Sequence, residues 1–361
     1  MRRISIEQIQ PGLILARSIF GAKGQLLLNA GIEIKSQYAY YLEKLGINYL
    51  YVQDDRLEGV EIEDVITEET RMEARSLVRE IMSNGESKLL KQKSLLLCDE
   101  KINRYIAKII DELLNKKDIV VNLMDLKCAG DYMFAHCVNT CVLATLTATK
   151  LGFTRSRLVK LATGSLLHDI GTVAVPPEII NKRASLTQDE YEMVKKHPLY
   201  GYEIFKKSSL FSATAGAVIY QHHERQDGSG YPQGLKGDKI NFLAQIVTVA
   251  DVYDALTSDR PYRKAYMPYQ AVEMLSALGQ KYFKLKVLQA FLSFVAAYPI
   301  GTHVFLSNGE SGLVMANTPG FPLHPVVKIL YSGESLALHP NPYELDLTET
   351  LNLSIVKVIE D

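Results

Sequence analysis

Five of the eight histidines in this chain fall between positions 136 and 223, and carboxylates accompany them. His136 lies in YMFAHCVNT, His168 and Asp169 in LLHDIGTVAV, His197 in VKKHPLYG, His222 and His223 in IYQHHERQDGSGYP, and Asp251 in VTVADVYDALTS. A lone His-Asp pair at a helix end is usually a hydrogen-bonded structural pair. Imidazoles and carboxylates that recur on successive apolar segments are costly to bury unless each is paired or bound to a cation. Mixed histidine and carboxylate ligation without cysteine suits iron, manganese, zinc or nickel, and not the all-oxygen cages of calcium or magnesium. Seven candidate ligands exceed what one tetrahedral ion needs. Two ions roughly 3.5 to 4 Å apart, sharing a carboxylate and a water, would use them, and such a centre hydrolyses phosphate esters.

The elements that must position these residues are helical. From Val120 to about Tyr298 the apolar residues recur at helical spacing, broken by Gly and Pro at LGFTRS, IGTVAVPPE and HERQDGSGYPQG. Residues 1–55 alternate short apolar runs with Gly and Asn turns, which predicts a small β-rich domain with a helix near Tyr38 to Leu45. Residues 56–118 carry charged, helically patterned stretches, VITEETRMEARSLVREIM and INRYIAKIIDELL, expected to form a helical linker or a pairing surface for a second copy. After Pro299, β-branched runs between turns predict a β-rich tail over 299–361. The expected fold is mainly α, with an all-helical catalytic domain over 119–298 flanked by two small β-rich pieces.

Composition narrows the partners. Lys and Arg total 40 against 41 for Asp and Glu, so no net field favours a nucleic acid polymer or an anionic membrane. No apolar run reaches the roughly 18 residues of a membrane span, and Glu7 and Gln8 interrupt any signal-peptide core, which makes the cytoplasm the expected location. The four cysteines are irregularly spaced and read as reduced thiols, with Cys137 and Cys141 small buried side chains one helical turn apart.

The motifs HDIGT, KKHPLYGYEIF, QHHERQDGSGYPQGL and ADVYDALTSDRPYRKA, in this order, resemble the HD superfamily of metal-dependent phosphohydrolases and, within it, the HD-GYP domain. The resemblance implies hydrolysis of cyclic di-GMP, mainly to linear pGpG. It implies that His136, His168, Asp169 and Asp251 hold one divalent transition ion, iron or manganese before zinc or nickel. Asp169 would bridge to a second ion held by His197, His222 and His223, and would position the nucleophilic water. Asp254, Arg260 and Arg263 match positions that contact the nucleotide phosphates, and the arginine fork suits that role. The Gly230-Tyr231-Pro232 loop is associated in the family with partners carrying a GGDEF domain.

Two positions depart from the family pattern. Thr172 stands where the motif has a lysine near the scissile phosphate; Lys182, Arg183, Lys195 and Lys196 lie close in sequence and are candidates to replace its charge. Tyr132 stands one turn before His136, where some members place a glutamate for a third ion, while Asp131 is turned away and suits an N-cap. A two-ion site is therefore expected. Two alternatives stay open: a substrate such as cyclic GMP-AMP, since no motif reads a base edge, and a catalytically weak nucleotide receptor.

Overall fold

The computed structural model describes all residues except 22–24, 46, 48, 58, 61–63, 89–98, 117–119, 122–131, 183, 211, 260–262, 334–336 and 360–361, and no side chains over 83–88. Contacts divide the chain into one unit of Met1–Asp64, Asp118–Asp131 and Leu292–Asp361, and another of Val65–Lys117 and Tyr132–Phe291.

The first unit contains the β structure. Strands β1 (Arg2–Ser5) and β4 (Tyr49–Val52) pair antiparallel with Arg2 opposite Val52, and β2 (Ile19–Phe20) pairs with β3 (Leu26–Leu28). Helix α1 (Gln37–Lys44) joins them, and Leu15, Ile19, Ile34, Leu42 and Leu50 form their buried core. Toward the C-terminus β5 (His303–Leu306), β6 (Glu310–Ala316), β7 (Val326–Ser332), β8 (Ala337–Asp346) and β9 (Ile355–Val358) form a five-stranded sheet in the order β8-β7-β6-β5-β9. Pro340 and Pro342 lie on the edge strand β8, where a missing N–H costs no ladder bond and discourages further strand pairing. Leu57 packs with Leu313 and Leu330, and Arg56 donates to the Tyr331 hydroxyl at 2.5 Å.

The second unit is helical: α2 (Glu68–Lys88), α3 (Asp99–Leu114), α4 (Tyr132–Lys150), α5 (Arg155–Leu166), α6 (Pro177–Ile180), α7 (Gln188–Val194), α8 (His197–Phe205), α9 (Ala213–Gln221), α10 (Phe242–Thr257), α11 (Pro268–Tyr282) and α12 (Leu285–Leu292). Helix α4 is buried on every face from Ala135 to Ala148, and α10 from Leu243 to Asp251, as befits helices apolar all round. Each fully buried Leu, Val or Ile on them contributes about 1.5–3 kcal/mol. A Cβ on Gly164 would lie 2.7 Å from Val218 Cβ and 2.8 Å from the Ala215 carbonyl oxygen, so the approach of α5 to α9 requires glycine there.

The segment read from sequence as a connector, 56–118, is divided between the two units at Asp64. The apolar stripe of α3 (Ile102, Ile106, Ile109, Ile110 and Leu113) is buried within the helical unit. Buried Asp99 accepts from Ser208 Oγ at 3.0 Å and the Ser209 N–H at 3.1 Å, which ties the start of α3 to the turn after α8. The helical pattern was visible in the sequence; the surface that covers it was not.

Candidate metal centre

Five elements deliver the site. Helix α4 presents His136, the turn after α5 carries His168 and Asp169, α8 begins at His197, the turn after α9 carries His222 and His223, and α10 presents Asp251 and Asp254. Gly171 permits one approach among them: a Cβ there would fall 1.9 Å from the His197 carbonyl oxygen and 2.3 Å from Gly201 N. Both are backbone atoms, so only glycine lets Asp169 lie this close to the start of α8.

Three imidazoles are oriented by the same local device. Nδ1 of His168 donates to the Ser165 carbonyl at 2.7 Å, Nδ1 of His197 to Val194 at 2.8 Å and Nδ1 of His222 to Ile219 at 2.8 Å, each reaching three residues back. A carbonyl only accepts, so these bonds put a ring proton on Nδ1, and in the neutral imidazole Nε2 carries the lone pair. His168 Nε2 is buried with no hydrogen-bond partner. His197 Nε2 and His222 Nε2 stand 3.1 Å apart, so that in the neutral rings two lone pairs face each other. Such an arrangement is unfavourable by itself, and a cation between them removes the conflict.

The carboxylates lie between these nitrogens. Asp169 Oδ1 is 3.2 Å from His197 Nε2 and 3.8 Å from His222 Nε2, while its Oδ2 is 3.3 Å from His168 Nε2 and 3.9 Å from His136 Nε2. Asp251 Oδ1 lies 3.0 Å from His136 Nε2, and its Oδ2 3.6 Å from His223 Nδ1. Potential ligand atoms converge in two groups, Asp169 with His197, His222 and His223, and His136 with His168 and Asp251; within each group all lie within 4.8 Å of one another. All seven candidate ligands are thus brought together.

The electrostatics favour a cation. Burial opposes the charge on Asp169, but His168 and His197 outweigh it and hold the carboxyl well below the usual range. Asp251 is likewise depressed, with burial outweighed by the His136 hydrogen bond and the nearby imidazoles. Burial also opposes a charged His136, yet its bonds to Asp251 and Asp254 hold its pKa up at about 10. His223, by contrast, is pushed down to about 3, mainly by burial. The negative potential that makes His136 retain a proton is the potential that would bind a metal ion.

Of the residues matched to phosphate contacts, Asp254 and Arg263 make bonds within the chain. Asp254 is 1% exposed. Its carboxylate accepts from His136 Nδ1 at 2.7 Å, Asn139 Nδ2 at 2.9 Å and Ser258 Oγ at 3.2 Å, so it orients His136. Arg263 donates to the carbonyls of Ala255 and Leu256 at 2.6 and 3.1 Å, capping the end of α10. Arg260 lies outside the described residues. Thr172 is 8% exposed and its hydroxyl donates to the Asp169 carbonyl at 2.7 Å, inside the turn. Tyr132 stacks on the His136 ring with centroids 5.5 Å apart.

The Gly230-Tyr231-Pro232 loop is largely occupied within the chain. A Cβ on Gly230 would meet the His223 carbonyl oxygen at 2.4 Å and Arg225 N at 2.5 Å. Buried Glu224 accepts from the N–H groups of Gln233 and Leu235 at 2.8 and 2.9 Å. The Tyr231 ring, held by this loop, lies 4.7 Å from the His223 ring and forms a wall of the site. Ser229, Gln233 and Gly234 are the loop residues left exposed. Asn139, Ser258 and Glu224 were not singled out from sequence. Asn139 had a signal, since it follows His136 at i+3 on the same helix face.

Residues 110–287 match the HD domain, and residues 303–361 match a KOW domain associated with the HD domain. Residues 110–287 are thus an HD domain, and their HD and GYP motifs are those of the HD-GYP type. It is 35% identical over 235 residues to the cyclic di-GMP phosphodiesterase PA4108 of Pseudomonas aeruginosa, covering 64% of this chain and 56% of that protein. The cyclic di-GMP phosphodiesterase response regulator RpfG of Xanthomonas campestris pv. campestris is 41% identical over 150 residues, 41% of this chain and 40% of that protein. A 3'3'-cGAMP-specific phosphodiesterase 3 of Vibrio cholerae is 37% identical over 134 residues, 37% of this chain and 29% of that protein. The chain therefore spans 56% or less of the length of these relatives. Among the described residues, no helix is long and apolar enough to cross a membrane.

Proposed function

We propose that the protein is a metal-dependent phosphodiesterase that hydrolyses cyclic di-GMP, mainly to linear pGpG. The observation that carries this reading is the Asp169 carboxylate, with one oxygen turned to His197 and His222 and the other to His168 and His136. A carboxylate so placed suits a bridge between two ions, one held by His136, His168 and Asp251 and the other by His197, His222 and His223. Divalent ions held by these residues would supply a nucleophilic water at neutral pH and neutralise charge on the phosphoryl oxygens. The chain's own residues orient the ligands: carbonyls fix the tautomers of His168, His197 and His222, and Asp254 with Asn139 fixes the His136 ring. Tyr231 narrows access beside His223. Iron or manganese suits this donor set best.

The similarity to a cGAMP-specific relative supports cyclic GMP-AMP as a second substrate. One experiment tests both readings. Protein purified without oxygen is analysed for metal and incubated with each cyclic dinucleotide, and the products are resolved over time. About two transition ions per chain and accumulation of pGpG from cyclic di-GMP are expected. Faster turnover of cyclic GMP-AMP transfers the assignment to that substrate, and a metal-loaded protein that cleaves neither refutes the phosphodiesterase reading.

A further inference from the structure

We propose that Lys195 contacts a phosphate of the bound substrate, at the rim formed by Tyr231 and Tyr191. The phosphate-bearing ligand is the cyclic dinucleotide of the preceding section, and the inference rests on that reading for its identity. A phosphodiester carries negative charge, and a cation of the chain at the rim of the site would draw it in and hold it beside the reacting bond. Thr172 is neutral and its hydroxyl is already bonded to the Asp169 carbonyl.

The nearby cations separate by how they are held. Lys182 donates to both carboxylate oxygens of Glu190 at 2.8 and 2.6 Å. Arg263 is committed to the carbonyls that end α10. Arg225 lies over the rings of Tyr282 and Phe283. Lys195 is different. It stands two residues before His197, and its ammonium is 5.7 Å from the centre of the Tyr231 ring, the same ring that packs on His223. It is also 5.6 Å from the Tyr191 ring. It too donates to both oxygens of a carboxylate, Glu192, but at the longer 3.0 and 3.2 Å, and Glu192 is 49% exposed against 22% for Glu190. A solvent-exposed ion pair of this kind contributes little, so an incoming phosphate can replace Glu192 at small cost. Lysine acts on phosphate as a mobile point charge, and the two rings keep that charge beside the entrance.

The test uses the full, metal-loaded chain. Binding of a hydrolysis-resistant phosphorothioate analogue of cyclic di-GMP, and separately of inorganic phosphate, is measured at low and high salt beside kcat and KM. Lys195→Met is expected to weaken analogue binding and raise KM by about ten-fold, to flatten the salt dependence, and to leave metal content unchanged. Lys195→Arg should stay within a few-fold of the parent, and Glu192→Gln should tighten binding. Binding and KM within two-fold of the parent in a folded, metal-replete Lys195→Met protein overturn the proposal. The inorganic phosphate measurement keeps the two readings apart. A parent that cleaves no cyclic dinucleotide but binds phosphate more tightly than Lys195→Met loses the proposed activity and keeps the Lys195 contact, whereas equal phosphate binding removes the contact.

Discussion

Replacing Asp254 by Asn separates two roles that one residue type can fill. In the structure the Asp254 carboxylate holds His136 Nδ1 at 2.7 Å and accepts from Asn139 and Ser258. An amide has one accepting oxygen, so its NH2 must face one of these donors, and the charge that orients His136 is lost. Removing a partner of this kind behind a metal-binding histidine typically lowers metal affinity 10- to 100-fold, which is about 1.4–2.7 kcal/mol. The same range follows from losing one charge-assisted hydrogen bond, about 1.5–3 kcal/mol. The expected result is therefore weaker metal binding by 10- to 100-fold, measured by competition with a chromophoric chelator. KM for cyclic di-GMP at saturating metal should stay within about three-fold, because a buried carboxylate 1% exposed does not reach the substrate. Unchanged metal affinity with a KM raised ten-fold would falsify this account and return Asp254 to the phosphate.

Other outcomes follow from the same geometry. Asp169→Asn should abolish turnover and reduce the metal content of the purified protein; hydrolysis within a few-fold of the parent would show that Asp169 is not the bridge. Metal binding at pH 8 should release at least one proton per chain, since His136, held up at about 10, is protonated there without metal, and calorimetry in buffers of different ionisation enthalpy that finds no release would contradict the ligand assignment. The linkage has a sign: His136 stabilises the metal-free fold below the unfolded histidine pKa of about 6.5 and loses that contribution as pH rises toward about 10, while His223, pushed down to about 3, withdraws stability as pH falls below about 6.5. Metal-free protein should thus unfold at the highest temperature between these limbs, and a monotonic rise of Tm from pH 5 to 9 would oppose it. Gly171→Ala should cost about 1–3 kcal/mol and loosen metal binding, because its Cβ would fall 1.9 Å from the His197 carbonyl oxygen; an unchanged Tm would mean that the turn and α8 separate freely.

The cluster of histidines was legible because its chemistry resides in residue type: imidazoles repeated on apolar helices have few other uses. The helical character of the catalytic region and the β-rich ends were legible from periodicity, since α4 and α10 are apolar all round and the strands after Pro299 are β-branched between turns. Direction was not legible. Asp254 and Asp251 are three residues apart on α10, and sequence alone does not say that Asp254 turns behind His136 while Asp251 faces the nitrogens. Arg263 has the right chemistry for phosphate, but the bare carbonyls at the end of α10 claim it first. The stripe on α3 showed that something must cover Ile102 to Leu113, and only the fold shows that the covering lies within the helical unit.

The unit that contains Met1–Asp64 also contains Asp118–Asp131 and Leu292–Asp361, with the two segments of the helical unit between them. Synthesis proceeds from the N-terminus, so the first segment emerges with part of its apolar surface waiting for partners more than two hundred residues away. Leu57 meets Leu313 and Leu330 only when the last strands exist, and Arg56 waits equally long for Tyr331. The helical insertion has no such delay, because α2 to α12 complete its contacts before those strands are made. The helical unit is therefore expected to fold first on the ribosome, which leaves the pairing of Met1–Asp64 with Leu292–Asp361 to the last stage of synthesis.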